Sequence, residues 1–311
     1  GIPTAEAATF TDVDSALSHL ERLESVPVVK ASGLAAGKGV VVPETKEQAA
    51  DAIREMLVDE RFGDAGREVL LEERLVGPEV SILAFCDGTD FRVMPAAQDH
   101  KRLLEGDRGP NTGGMGAFHP SPIADAALIE EVSGKVLAPT LAALVEEGRP
   151  YRGVLYAGMM LTDAGPKVIE YNCRFGDPET QVVLPLLESD LLHVFEACAR
   201  GELAATEVRW SQQAAVTVVM ASAGYPNTSA EPAPISGLDE AATLGCTVFH
   251  AGTTMIDATP HASGGRVLAV TAVADTLEAA ADRAHDGVAA ISFAGARHRA
   301  DIARATAQVR R

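Results

Sequence analysis

The sequence holds no apolar run near the roughly 18 residues that a membrane-spanning helix needs, and no charged-then-apolar leader opens it. Neither a membrane span nor a secretory signal is therefore expected. Aromatic residues are scarce at 5%, yet hydrophobic residues reach 47%, enough for a soluble globular core. Cysteine is sparse too. Cys86, Cys173, Cys198 and Cys246 are widely spaced, with no CxxC and no Cys/His cluster. That argues against a disulfide framework or a zinc site and fits a reducing, cytoplasmic setting. Basic residues fall short of acidic ones, 26 against 44, for a formal net charge of −18. Such an excess opposes non-specific nucleic-acid binding, which needs a basic surface. Any polyanion bound here has to be met by a local cluster of cations, from the protein or from a metal. Neither an internal repeat nor a low-complexity linker is present. At 311 residues the chain can hold about two or three domains.

What is there centres on Val168-Ile169-Glu170-Tyr171-Asn172-Cys173-Arg174-Phe175-Gly176-Asp177-Pro178-Glu179-Thr180. Its first half alternates as a strand, placing Glu170 and Asn172 on one face, roughly 7 Å apart, close enough to share a cation. A carboxylate and a carboxamide are hard oxygen ligands of the kind Mg²⁺ takes beside phosphate oxygens. Arg174 follows, with the fork geometry that receives a carboxylate or phosphate. The same residues also suit the solvated face of an edge strand, and Asp177-Pro178 an ordinary helix start with Asp as N-cap and Pro at N1.

Along the chain, Val13–Leu23 reads as a short helix and Val26–Lys30 as a strand ending on a lysine. Three residues separate Gly33 from Gly37, Gly39 follows Lys38, and a strand comes next, so this is not a Walker A loop. It reads as a glycine-rich lid between two strands, able to fold backbone N–H groups over phosphates, or as a plain mobile hairpin loop. Lys30 and Lys38, in so acidic a chain, favour anion binding. Thr45–Gln48 is a capping box opening an amphipathic helix to about Val58. The run Val69–Gly77 reads as a strand leading into a short connector, and strands follow at Glu79–Cys86 and Phe91–Met94. Then come the basic cluster Gln98–Arg102 and the glycine-bearing loop Gly109–Gly116, of a type more often functional than idle. His100 reads as a supporting or solvated histidine rather than a catalytic base. Residues 123–147 are expected to be helical with a break at Pro139. Strands Val154–Leu161 and Lys167–Asn172 form an antiparallel hairpin, with helices near 179–187 and 190–200. From about 206 to 311 strands and helices alternate without clustered chemistry, as in a separate α+β unit.

Val29–Val40, Gln98–Arg102, Pro110–Ala117 and Glu170–Thr180, in that order, resemble the signatures of the phosphoribosylamine–glycine ligase family, within the ATP-grasp superfamily. His250–Thr253 and Gly264–Leu268 fit the same family, so the resemblance runs from Gly1 to about Ala305. It implies an α+β architecture: an ATP-grasp fold, in which two α+β subdomains grip ATP, followed by a smaller C-terminal α+β domain. The corresponding divisions are 1–78 for the lid subdomain with the glycine loop, 79–205 for the catalytic subdomain and 206–311 for the C-terminal domain. The implied reaction joins glycine to 5-phosphoribosylamine with cleavage of ATP to ADP and phosphate, through a glycyl phosphate, in de novo purine synthesis.

Position by position, the resemblance implies that Lys30 contacts ATP phosphates or the adenine edge and that the loop with Gly33, Gly37, Lys38 and Gly39 closes over the phosphates. Glu72, Glu73 and Leu75 fall in its adenine-binding connector, and Glu79 matches its ribose-hydroxyl ligand. Glu170 and Asn172 match its Mg²⁺ (or Mn²⁺) ligands. Arg174 and Asp177 are expected to hold glycine or the phosphoryl group in transit, with Asp99, Lys101 and Asn111 near the acceptor or the phosphates. Family members carry roughly a hundred further N-terminal residues, a domain-sized unit that helps bind the ribosylamine phosphate. The opening Gly1-Ile2-Pro3 suggests such an upstream part here, supplied elsewhere. Small molecules are thus the expected partners, not nucleic acid or membrane. Other ATP-grasp enzymes, such as carboxylases of the biotin carboxylase type, share the metal logic but are disfavoured by Arg174–Thr180 and Asn111–Gly116. A nucleotide-binding module without turnover is the non-enzymatic alternative.

Overall fold

The computed structural model describes residues 1–33, 35, 39–228 and 231–304; Gly37 and Lys38 lie outside them. The chain groups into two compact units. The smaller comprises Pro3–Pro78 and Met160–Ile169, and the larger Gly1–Ile2, Glu79–Met159 and Glu170–Arg311.

In the smaller unit a four-stranded sheet runs in the order Ala7–Phe10, Val69–Glu72, Val28–Ala31, Val40–Val41. Its helices start where the sequence supplies caps: the Asp12 carboxylate accepts from Ser15 N–H at 2.8 Å, and Thr45 Oγ1 from Gln48 N–H at 3.2 Å. In Lys46–Leu57 the buried residues Ala49, Ala52, Ile53 and Met56 recur at helical spacing and close over Val29, Val69 and Leu71. Strand alternation then turns Lys30 and Glu72 to the sheet's other face. Val29 pairs with Val41 and Lys30 with Val40, so the glycine loop does connect two adjacent antiparallel strands.

The larger unit is built on two sheets. One is four-stranded, in the order Gly165–Asn172, Arg152–Thr162, Glu79–Asp87, Phe91–Val93, its first two strands crossing the division between the units. The other is five-stranded, in the order Thr247–His250, Arg266–Ala274, Ala214–Ala221, Gly116–His119, Gln98–Asp99. Three strands of residues 206–311 thus share a sheet with Gly116–His119 and Gln98–Asp99, while Ala233–Pro234, Thr259–Ala262 and Thr253–Ile256 form a three-stranded sheet within those residues. All eight residues of Ala214–Ala221 are buried, because the strand has sheet neighbours on both edges, Gly116–His119 on one of them, and helix Leu277–Ala290 among its packing partners. The expected break in 123–147 is wider than a proline kink. A π-helical turn at Ser133–Leu137 precedes the Ala138–Glu146 helix, whose first turn holds Pro139, a residue with no N–H to return to the preceding turn. Asp177 is not an N-cap, since the next helix begins only at Thr180. No helix among the described residues is long and apolar enough to cross a membrane.

Phe85 is fully buried at the centre of the larger unit's second core. Its ring stacks on Trp210 with centroids 6.3 Å apart and meets Phe175 edge-on at 6.3 Å, which fixes the loop carrying Arg174 and Asp177 to the sheet. Phe85→Ala is expected to lower stability by about 3–5 kcal/mol, through lost burial and the cavity left behind, measured by urea unfolding. A loss under about 1 kcal/mol would show that this core collapses around the gap.

Candidate functional site

In the smaller unit the Lys30 ammonium forms an ion pair with the Glu72 carboxylate and donates to the Ile169 carbonyl at 3.2 Å. An ammonium has three donors, so one remains for a ligand. Glu73 is differently employed. Its carboxylate accepts from Lys167 at 2.9 Å and from Glu6 N–H at 3.3 Å, and the Lys167 hydrogen bond holds it below the usual carboxylate range. Leu75 is half-buried. Gly33 and Gly39 are glycines for packing reasons: a Cβ at Gly33 would lie 2.5 Å from Ala65 Cα, and one at Gly39 would lie 2.7 Å from Ala35 Cβ. Both loop ends are tied by backbone bonds, Gly33 N–H to Ala65 O at 3.0 Å and Ala31 N–H to Gly39 O at 2.8 Å.

In the larger unit Glu170 and Asn172 share a strand face as expected, and Asn172 Nδ2 donates to Glu170 Oε1 at 3.1 Å. That contact orients the amide so that its oxygen, with the second Glu170 oxygen, remains for a cation. The described residues contain no cluster of three or more His, Cys, Asp or Glu able to hold a metal alone. A two-oxygen set suits Mg²⁺, which keeps water and takes its other ligands from substrate phosphates. Arg174 is exposed and donates one N–H to Phe175 O at 2.7 Å, leaving most of its fork free. The Asp177 carboxylate receives Arg266 Nη2 on Oδ2 and Gln181 Nε2 on Oδ1, both at 2.9 Å.

The charges nearby form one linked group. Lys101 pairs with Asp99 at 2.8 Å and lies 3.7 Å from Glu79. Burial works against the Lys101 ammonium, but Asp99, Tyr156, Glu79 and Glu179 outweigh it and push its pKa up, so it stays charged. Glu79 is pushed up, first by burial; Lys101 draws it back, and the charges of Asp99 and Glu170 add to the rise. Glu79, Asp99 and Glu170 therefore act in one field, a place where a cation is favoured. Asn111 sits on the exposed Arg108–Asn111 strand, and its neighbour Thr112 is tied to Lys101 O by its N–H and its hydroxyl, both at 2.8 Å. His100 takes no part in this group: its Nδ1 is 3.7 Å from Asp107, and its buried Nε2 has no partner among the described residues.

Glu179, Ser81, Tyr156 and Arg266 went unassigned from the sequence. Glu179 is 3% exposed, with Oε1 accepting from Ser81 Oγ at 2.8 Å and Tyr156 OH at 3.0 Å. A signal existed, because Ser81 and Tyr156 are the polar members of otherwise apolar buried strands, and a buried hydroxyl needs a partner. Burial raises the Glu179 pKa and the Asp99 charge adds to the rise, against Lys101. A raised folded pKa gives stability that is fully present below the unfolded carboxylate value and is lost as pH rises through the folded one. Glu179→Gln, which cannot ionise, is therefore expected to gain in Tm relative to the wild type as pH rises above the ordinary carboxylate range. A Tm difference that stays flat over that rise would show that the buried carboxylate ionises without penalty.

Residues 1–180 match the family model "Phosphoribosylglycinamide synthetase, ATP-grasp (A) domain", and residues 215–305 match the C domain of the same synthetase. The chain is 46% identical to a phosphoribosylamine–glycine ligase of Ralstonia nicotianae, over 97% of this chain and 72% of that protein. It is 52% identical to the trifunctional purine biosynthetic protein adenosine-3 of Gallus gallus, over 97% of this chain but only 30% of that longer protein. The crystal structure of phosphoribosylamine–glycine ligase from Thermotoga maritima superimposes with a TM-score of 0.87 at 34% identity, covering 97% of this chain and 75% of that one. The chain belongs to the phosphoribosylglycinamide synthetase, or phosphoribosylamine–glycine ligase, family, and its first part is that family's ATP-grasp domain.

Proposed function

We propose that the chain catalyses the ATP-dependent joining of glycine to 5-phosphoribosylamine, yielding glycinamide ribonucleotide, ADP and phosphate. The observation that carries this reading is the Glu170–Asn172 oxygen pair opening directly into Arg174 and Asp177, in a chain of this family. A carboxylate is a poor electrophile, so the glycine carboxylate oxygen first attacks the γ-phosphorus, ADP leaves, and glycyl phosphate forms. The ribosylamine nitrogen then attacks the carbonyl carbon. The C–O bond to phosphate breaks, the nitrogen loses a proton, and an amide remains. Positioning and charge neutralisation do most of this work, in surroundings poor in water because hydrolysis of the acyl phosphate wastes ATP.

Glu170 and Asn172 would hold Mg²⁺ or Mn²⁺, which neutralises phosphate charge when bound. Arg174, with its free fork, receives the glycine carboxylate or the moving phosphoryl group, and Asp177 the glycine ammonium. Lys101, kept charged by its carboxylates, stands with Asp99 and Asn111 near the acceptor or phosphates. Lys30, its charge already met by Glu72, serves as a hydrogen-bond donor to the nucleotide, best suited to the adenine edge. Glu72 and the connector through Leu75 frame the adenine, Glu79 accepts from a ribose hydroxyl, and the Gly33–Gly39 loop covers the phosphates.

Glu170→Gln keeps the side-chain shape but removes the charge that draws a divalent cation. Because Glu170 is exposed, its melting curve is expected to match the wild type. Phosphate release with Mg·ATP, glycine and phosphoribosylamine is expected to fall by roughly 100-fold or more. Near-normal turnover at saturating Mg²⁺ would remove Glu170 from the metal site.

A further inference from the structure

Arg266 opens the Arg266–Ala274 strand, far in sequence from both loops it touches. Its Nη2 donates to Asp177 Oδ2 and its Nη1 to Asp177 O, each at 2.9 Å. The same Nη1 donates to Gly113 O at 2.6 Å and, more weakly, to Gly114 O at 3.4 Å. One guanidinium thus ties the Asp177 loop to the glycine turn that follows Asn111. The surroundings are shaped for it. A Cβ at Gly113 would lie 3.0 Å from Arg266 Cζ. At Gly114, where φ is +109°, a Cβ would lie 2.4 Å from Pro178 Cδ. A Cβ at Gly265 would strike the Tyr225 ring at 2.6 Å, and the Tyr225 hydroxyl accepts from Gly113 N–H at 2.8 Å. The Gly113-Gly114 and Gly265-Arg266 dipeptides are therefore two sides of one contact.

We propose that Arg266 is the positioning residue of the glycine site, fixing the Asp177 carboxylate and the Gly113–Gly114 turn in one arrangement. With Gln181 on Oδ1 and Arg266 on Oδ2, the carboxylate cannot rotate, yet each oxygen keeps a lone pair for a ligand's N–H. The Arg266 side chain is 21% exposed, so these charge-assisted bonds are only partly screened by water. A planar fork serving a carboxylate and several carbonyls at once is work a lysine ammonium does poorly. The role at glycine rests on Asp177 binding glycine, as proposed above; the tie between the two loops does not.

The test is Arg266→Gln in the full-length protein, read in two ways. By amide hydrogen exchange, residues 113–116 and 176–180 are expected to lose protection together, while the core strands keep theirs. By steady-state kinetics, the KM for glycine is expected to rise roughly ten- to hundredfold, with the KM for ATP within about twofold of the wild type. The double variant with Asp177→Asn is expected to be no worse than the weaker single variant, as residues acting through one another require. Unchanged exchange in both loops would overturn the tie. An equal rise in both KM values would reduce Arg266 to general support of the fold. If the wild type releases no glycine-dependent phosphate, the reading of the function fails, and the exchange result still decides the tie.

Discussion

The constraint behind the larger unit's site is that charges drawn partly out of water must balance one another. Lys101 and Glu179 set that balance. The Asp99, Glu79 and Glu179 carboxyl groups around the ammonium favour its charge against burial, and the buried Glu179 side chain accepts from Ser81 and Tyr156. Removing any one of these groups would leave another without a partner in a poorly solvated place. For a chain with a net charge of −18, such local pairing is what the proposed approach of a triphosphate requires. Under the proposed function acidic residues at the site are not obstacles, because a divalent cation and Lys101 would stand between them and the phosphates.

The fold brings these groups together by threading polar residues into apolar strands. Glu79 and Ser81 begin a strand whose remaining residues are buried, and Glu170 and Asn172 end one whose buried residues, Pro166 and Val168, precede them on it. Phe85 and Phe175 join that sheet to the loop bearing Arg174 and Asp177. Arg266 reaches the same loop from the C-terminal third of the chain, so residues matched by the family's C domain help shape the site drawn from its ATP-grasp domain.

Much of this was legible in the sequence because it depends on local patterns. Alternation placed Glu170 and Asn172 on one face, and capping residues marked the helices at Val13–Arg22 and Lys46–Leu57. Asp177-Pro178 misled, since a local rule for helix starts competes with a long-range partner, Arg266, that no spacing reveals. Glu179 escaped notice for a related reason: it lies among catalytic candidates, but its burial is set by Ser81 and Tyr156, 98 and 23 residues away. The shared five-stranded sheet was hidden as well, because strand pairing between residues near 117 and 217 leaves no local trace. Lys38 and Gly37, read as part of the phosphate-covering loop, lie outside the described residues and stand on the sequence pattern and the family resemblance.

The central claim is that glycine's carboxylate is activated by phosphoryl transfer before the amine attacks. The direct measurement is turnover with glycine labelled with ¹⁸O in its carboxyl group, followed by mass analysis of the released phosphate. The account predicts that one labelled oxygen passes from glycine to each phosphate, with the other kept in the amide. Phosphate that carries no label, released at the rate of amide formation, would contradict it.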